Sequence, residues 1–268
     1  MTTRNTSLPL TSHVPSVFAH PGKHVVVVAD RFAPFADGER VLTISDLLMR
    51  VSGKPSGEPH RPWTVHVGQG IESRDWQLLE SACRDNTTAR MAAREAPFGA
   101  QLAPATVHKL RPENVLLANV RHLTTGYCAA DLRIHCDNEL VIDHRTGEHV
   151  QGMVIVEAMR QICIAQFETD YRCDLPDFEY AGVWKRINLS FQDFLFALPA
   201  TVSAEVTFAD LSRPTNLKFQ VRTSICQNGG EVASAEIEYS MIKHERFVNL
   251  EHAKATRASQ TYLATFAG

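Results

Sequence analysis

Positions 153–167 read M-V-I-V-E-A-M-R-Q-I-C-I-A-Q-F, and eleven of these fifteen residues are apolar. A helix apolar around nearly its whole circumference is stable only where protein encloses it. The chain must therefore build a wall around one helix, predicted from Gly152 to about Asp170. Its polar residues sharpen the constraint. Glu157, Arg160 and Gln161 stand at i, i+3 and i+4 and share one face, whereas Gln166 points elsewhere. Buried charges are costly unless paired. Either Glu157 and Arg160 lock the conformation, or they form the polar wall of a cleft with Glu157 as general base or acid. Gly152 is open in the same way. It starts the helix, or it lets a thioester carbonyl approach the unsatisfied N–H groups of the first turn.

The wall is legible as alternating segments. Strands are expected at Val115–Val120, Tyr127–Cys136 and Glu139–Asp143 before the helix. After it they are expected at Val183–Phe191, Thr201–Leu211, Leu217–Cys226 and Val232–Ile242. Leu217, Phe219, Val221 and Ile225 share one face, as do Ala233, Ala235, Ile237, Tyr239 and Met241. Asn228-Gly229-Gly230 between them tolerates the positive φ that a hairpin needs. A meander with one buried helix after its third strand is the hotdog plan, a curved antiparallel sheet wrapped round a central helix. Phe191, Phe219 and Tyr239 either line an acyl tunnel or are sheet core.

The first hundred residues read differently. Val25-Val26-Val27-Val28 is a β-branched run suited to a strand buried on both faces. A helix follows from Thr43 to Val51, then a Gly- and Pro-rich loop over Gly53–Pro62, a strand at Trp63–Val67 and a helix from Ser73 to about Arg84. Asn86–Pro104 is expected to be a helix plus linker. Gly68-x-Gly70 is a weak phosphate-loop signal or a plain turn. The fold class is α+β: a small α/β domain over 1–104, a hotdog domain over 105–245 and a C-terminal tail over 246–268.

Composition excludes several functions. A net charge of −3 gives no electrostatic case for nucleic acid, and no apolar run approaches the ~20 residues of a membrane span. The first fifteen residues lack the pattern of a secretory signal. The six cysteines are scattered without a C-x-x-C pair, which fits reduced thiols in a cytoplasm rather than disulfides or zinc. Cys163, on the apolar helix, reads as a small buried hydrophobe. The twelve histidines form no H-E-x-x-H motif, so no metal is expected.

The helix motif Gly152…Glu157-Ala-Met-Arg160-Gln161 resembles that of β-hydroxyacyl-carrier-protein dehydratases. Their catalytic carboxylate falls on Glu157, and their catalytic histidine falls near His144, one place out of register, with His149 a candidate substrate contact. The chain resembles the A-factor biosynthesis (AfsA-like) hotdog family more fully. Val107-His108-Lys109 is similar to that family's V-H-K, Glu113 to Leu117 to its E-N-V-L-L, and Glu157, Arg160 and Gln161 to its E-x-x-R-Q. Trp184 ahead of Leu189-Ser190-Phe191 is similar to its tryptophan and L-S-F. This likeness spans roughly residues 105–245. It implies transfer of a β-ketoacyl chain from an acyl carrier protein to a phosphorylated three-carbon acceptor such as dihydroxyacetone phosphate, on the way to a butyrolactone-type signal. It implies no cofactor beyond the carrier's phosphopantetheine arm. Glu157 would activate the hydroxyl or orient the acyl group, and Arg160 would order Glu157 or contact phosphate.

Typical members of that family carry two hotdog repeats, and the first hundred residues here do not read as one. A lone hotdog unit is expected to form a homodimer. Lys185-Arg186 beside Trp184 is a phosphate or phosphopantetheine contact or a solvated strand end. His108-Lys109-Leu110-Arg111 is a carrier docking patch or a basic turn. Dehydration or thioester hydrolysis through the same Glu157 is the competing enzymatic reading. Acyl or carrier-protein binding without turnover is the non-enzymatic one.

Overall fold

The computed structural model describes residues 23–52, 62–84, 86, 89–93, 99–143 and 147–266. The N-terminal part is a parallel sheet of β1 (His24–Val28), β2 (Val41–Thr43), β3 (Trp63–Val67) and β4 (Ala89–Met91) in the order β2-β1-β3-β4. Its crossovers include α1 (Ile44–Ser52) and α2 (Ser73–Arg84). Thr43 and Asp46 start α1 with a reciprocal cap. The Thr43 hydroxyl accepts from the Asp46 N–H at 3.1 Å, and the Asp46 carboxylate accepts from the Thr43 N–H at 3.4 Å. The helix expected within 86–104 does not form in its described residues. Residues 89–91 instead pair with β3 in the register Trp63↔Ala89. A ladder partner for those N–H groups outweighs local helix propensity.

The second sheet is antiparallel throughout. It comprises β5 (Leu117–Thr124), β6 (Tyr127–Leu132), β7 (Tyr180–Phe191), β8 (Ala200–Asp210), β9 (Asn216–Gln227) and β10 (Gly230–Lys243). The spatial order is β5-β6-β8-β9-β10-β7. Asn228 and Gly229 both have positive φ, 53° and 81°, as the two-residue turn between β9 and β10 requires. Glu139–Asp143 is not a strand. Residues Glu139–Ile142 form α3, a single helical turn, because the buried Asn138 side chain caps it by accepting from the Leu140 N–H at 3.0 Å. The central helix therefore follows the second strand of its sheet, not the third.

That helix, α4 (Gly152–Asp170), packs against β5, β6, β8 and β9 of the sheet. Val154, Ala158, Met159, Ile162, Cys163 and Phe167 are fully buried. Phe167 meets Phe219 edge-on at 5.9 Å, Phe219 stacks on Tyr239 at 5.1 Å, and the Tyr239 hydroxyl donates to the Cys163 carbonyl at 3.2 Å. Phe219 and Tyr239 are thus core, whereas Phe191 is exposed at the end of β7. The expected C-terminal tail carries a long helix, α5 (His244–Ala264), with no buried residue.

The two sheets share one continuous core, and a glutamine joins them. Gln69, on the turn after β3, donates its side-chain N–H groups to the carbonyls of Leu132 and Leu198, both at 3.0 Å. Its side-chain oxygen accepts from the Ile134 N–H at 2.8 Å, and its backbone N–H donates to Ala197 at 2.9 Å. A Cβ at Gly68 would stand 2.5 Å from the Ala197 oxygen, and Gly70 sits at φ 80°. Gly68-x-Gly70 is a docking turn held against the second sheet. Gln69→Ala orphans three backbone groups at this junction, each costing on the order of 1–3 kcal/mol. A loss of about 3 kcal/mol is expected in urea unfolding.

Candidate active site

The polar stripe of α4 meets the segment that leads into β5. Pro104–Val107 is a 3₁₀ turn ended by His108, whose left-handed backbone (φ 54°) is held by N–H contacts to the Ala105 and Pro104 carbonyls. This reversal aims the Val107 carbonyl and the Lys109 side chain at α4. The Lys109 ammonium lies 2.8 Å from Glu157 Oε1, and the Val107 oxygen accepts from Arg160 Nη2 at 2.9 Å. Arg160 also grips Glu157 with both arms of its fork, Nε to Oε2 and Nη2 to Oε1, each at 2.8 Å. Gln161, fully buried, donates to Glu157 Oε1 at 2.9 Å and to the Asn114 carbonyl at 2.8 Å, and accepts from the Leu116 N–H at 2.8 Å.

Every polar group of the stripe is therefore met, and the site remains open to water. The side chains of Glu157, Arg160 and Lys109 retain 16%, 24% and 26% of their exposure. Burial pushes the Glu157 carboxyl up, but the Arg160, Lys109 and Gln161 contacts outweigh it and leave the group below the ordinary 4.5. Glu157 is an ionised carboxylate, and both of its oxygens accept hydrogen bonds. The arrangement holds two cations side by side at the mouth of a buried helix, a geometry suited to developing negative charge.

The other expected site residues divide. Gly152 lies under the Phe191 ring, where a Cβ would come within 3.1 Å, so the ring requires a small residue there. His149 meets the Phe194 ring at a 50° tilt with centroids 5.0 Å apart and, with Arg31 and Gln151, lines a cleft of about 120 Å³ at the amino end of α4. His144 lies outside the described residues. Trp184, Lys185 and Arg186 lie on β7, where Arg186 pairs with Glu238 across to β10, and among the described residues no hydrogen bond or ion pair links them to the Glu157 cluster. Within the expected docking patch, Lys109 turns inward to Glu157, Arg111 pairs with Glu139 at 2.9 Å, and Leu110 is 97% exposed. Lys109 as a partner of Glu157 escaped the sequence reading, although the V-H-K motif that carries it was visible.

Burial pushes the Cys128 thiol up to about 12 and the Cys163 thiol higher still, so neither supplies a thiolate near neutral pH. Among the described residues no group of three or more His, Cys, Asp or Glu side chains is placed to hold a metal ion, and no helix is long and apolar enough to cross a membrane.

The antiparallel sheet wrapped on α4 is a hotdog fold. The family model of the A-factor biosynthesis hotdog domain matches residues 91–243, and the chain belongs to that family. No curated protein matches. Among solved structures, the dehydratase heterocomplex ApeI:P from Xenorhabdus doucetiae is similar at 13% identity, covering 53% of this chain and 91% of that one with a TM-score of 0.42. A protein described as a putative thioesterase from Shewanella oneidensis is similar at 10% identity, covering 46% and 82% with a TM-score of 0.37. One from Ralstonia eutropha, described as a phenylacetic acid degradation-related putative thioesterase, is similar at 19%, covering 46% and 83% with a TM-score of 0.34.

Glu157→Gln keeps the shape of the site but leaves Arg160 and Lys109 without their counter-charge. Chemical denaturation at pH 7 should show a loss of about 1–3 kcal/mol. Because the folded carboxyl titrates below 4.5, its contribution is complete above that pH and lost as pH falls through the lowered value. The stability gap between wild type and variant should therefore narrow on acidification below 4.5.

Proposed function

We propose that the protein transfers a β-ketoacyl chain from a carrier-protein thioester to the hydroxyl of a small phosphorylated acceptor of the dihydroxyacetone phosphate kind, serving the synthesis of a butyrolactone-type signal or related metabolite. The observation that carries this reading is the Arg160–Lys109 cation pair held by one ionised carboxylate. Acyl transfer needs a donor to the oxyanion, a proton acceptor and orientation of two substrates. Arg160, fixed by Glu157 and the Val107 carbonyl, faces the thioester oxygen as it gains charge. Lys109 adds a second positive charge for the oxyanion or the acceptor's phosphate. Glu157 holds both cations in register, and the family membership supports thioester chemistry at this helix.

The same site would hydrolyse a thioester if water replaced the acceptor, and the assay must separate the two. Purified protein with a β-ketoacyl carrier protein, followed by intact mass, should lose acyl groups only when dihydroxyacetone phosphate is present. Arg160→Gln should slow that loss by roughly 100-fold or more. Acceptor-independent loss would make the protein a thioesterase.

The reading includes a homodimer through the hotdog domain. β7 ends the sheet, and its outer edge has no ladder partner among the described residues, with Ile187 and Phe191 exposed along it and Phe194 and Met153 nearby. An unpaired edge flanked by apolar side chains favours pairing with a second copy. Sedimentation equilibrium should give twice the chain mass, and Ile187→Lys with Phe191→Glu should shift it toward the monomer.

A further inference from the structure

We propose that His108 is the residue that takes and returns the proton in this site, and that Glu157 is a positioning residue. The proposal rests on the acyl-transfer reading and deepens it. A general base needs a free lone pair directed at the hydroxyl it deprotonates. Glu157 is heavily engaged, with a single lone-pair site left over, on Oε2. Oε1 accepts from Lys109, Arg160 and Gln161, and Oε2 accepts from Arg160. Two neighbouring cations also make it a weaker base than a free carboxylate.

His108 is placed differently. It stands between Val107, whose carbonyl receives Arg160, and Lys109, whose ammonium receives Glu157. The residue keeps contact with solvent although its ring is partly covered, and the ring has no hydrogen-bond partner among the described residues. Its backbone occupies the left-handed region at φ 54° and ψ 47°, uncommon for a residue other than glycine and a form of strain that clusters at functional sites. The reversal at this residue brings its two chain neighbours onto α4. The charged groups around it are Arg160 and Glu157 on α4, Lys109 on its own turn, and Arg111 beyond, which Glu139 of α3 neutralises. Burial and the Arg160 charge hold the imidazole below its ordinary 6.5, so a neutral ring with a lone pair prevails at neutral pH.

The step balances without an added reagent. The acceptor hydroxyl gives its proton to a ring nitrogen of His108 as its oxygen bonds to the thioester carbon. The oxyanion faces Arg160. On collapse the C–S bond breaks, and the leaving phosphopantetheine thiolate takes the proton back from the imidazolium.

The test is single-turnover acyl transfer from a β-ketoacyl carrier protein to dihydroxyacetone phosphate between pH 5 and 9. It uses wild type, His108→Asn, His108→Gly and Glu157→Gln. Asn and Gly both accept the left-handed backbone, so the turn survives. The wild-type rate should rise through an acid limb centred below the ordinary imidazole value of 6.5. His108→Asn should lose that limb and roughly 100-fold or more in rate, and added imidazole should restore the rate of His108→Gly. Glu157→Gln should bind acceptor more weakly but keep the limb. A limb that persists in His108→Asn with little loss of rate, or one that vanishes in Glu157→Gln, overturns the proposal and leaves acyl transfer standing. A wild type that moves no acyl chain to the acceptor overturns the acyl-transfer reading, and the proposal with it.

Discussion

The fold depends on one carboxylate. A helix as apolar as α4 gains stability only when the sheet closes around it, and closure strands any charge the helix carries unless that charge is met inside the protein. Glu157 is met by Arg160 and Gln161 from its own helix and by Lys109 from the turn before β5. Gln161 then ties the same helix to Asn114 and Leu116, so the entry to the sheet is fastened where the charge is neutralised. One network thus positions β5, allows α4 to be buried and leaves two cations at a solvent-facing mouth. The structural lock and the polar wall, separate alternatives in the sequence, are the same residues.

The α/β part has a different relation to function. In open parallel sheets, ligands gather beyond the carboxyl ends of strands where the strand order reverses, which here is the crevice between β1 and β3. The turn after β3 carries Gly68, Gln69 and Gly70; Gly68 and Gln69 meet the segments flanking β6 and β8, and Gly70 packs against Ala29 and Phe32. The Gln69 amide at this place is spent on the backbone groups of Leu132, Ile134 and Leu198. The glycines are required by close packing against Ala197 and Phe32, not by a phosphate. This layer serves as a second support for the hotdog sheet along the ends of β6 and β8.

Where an element declares itself by period, it was readable. The all-apolar stretch of α4, the alternation along β9 and β10 and the Asn228-Gly229 turn each express a local rule and take the form that rule dictates. Residues 89–91 and 139–142 went astray for opposite reasons. The first became a strand because an existing β3 edge offered its backbone partners. The second became a helical turn because Asn138 lies buried and caps it, fixed in turn by the Glu113 carbonyl at 3.0 Å. The β3 edge and the Glu113 carbonyl are distant in sequence and escape a local window, whereas the Asn138 cap is itself a local signal.

The sequence by itself determined that one enclosed helix would carry a Glu-Arg-Gln stripe and that antiparallel strands would surround it, because side-chain period and turn chemistry are local properties. Tertiary structure decided what the stripe touches. Lys109, Val107 and Asn114 reach it only through the reversal at His108 and the path of the chain into β5. Val107 and Asn114 hold Arg160 and Gln161 in place, and these two with Lys109 meet Glu157 and keep its carboxyl below the ordinary value. Charge pairing over such a separation depends on how the chain folds back, and that path is chosen by burial of the whole core.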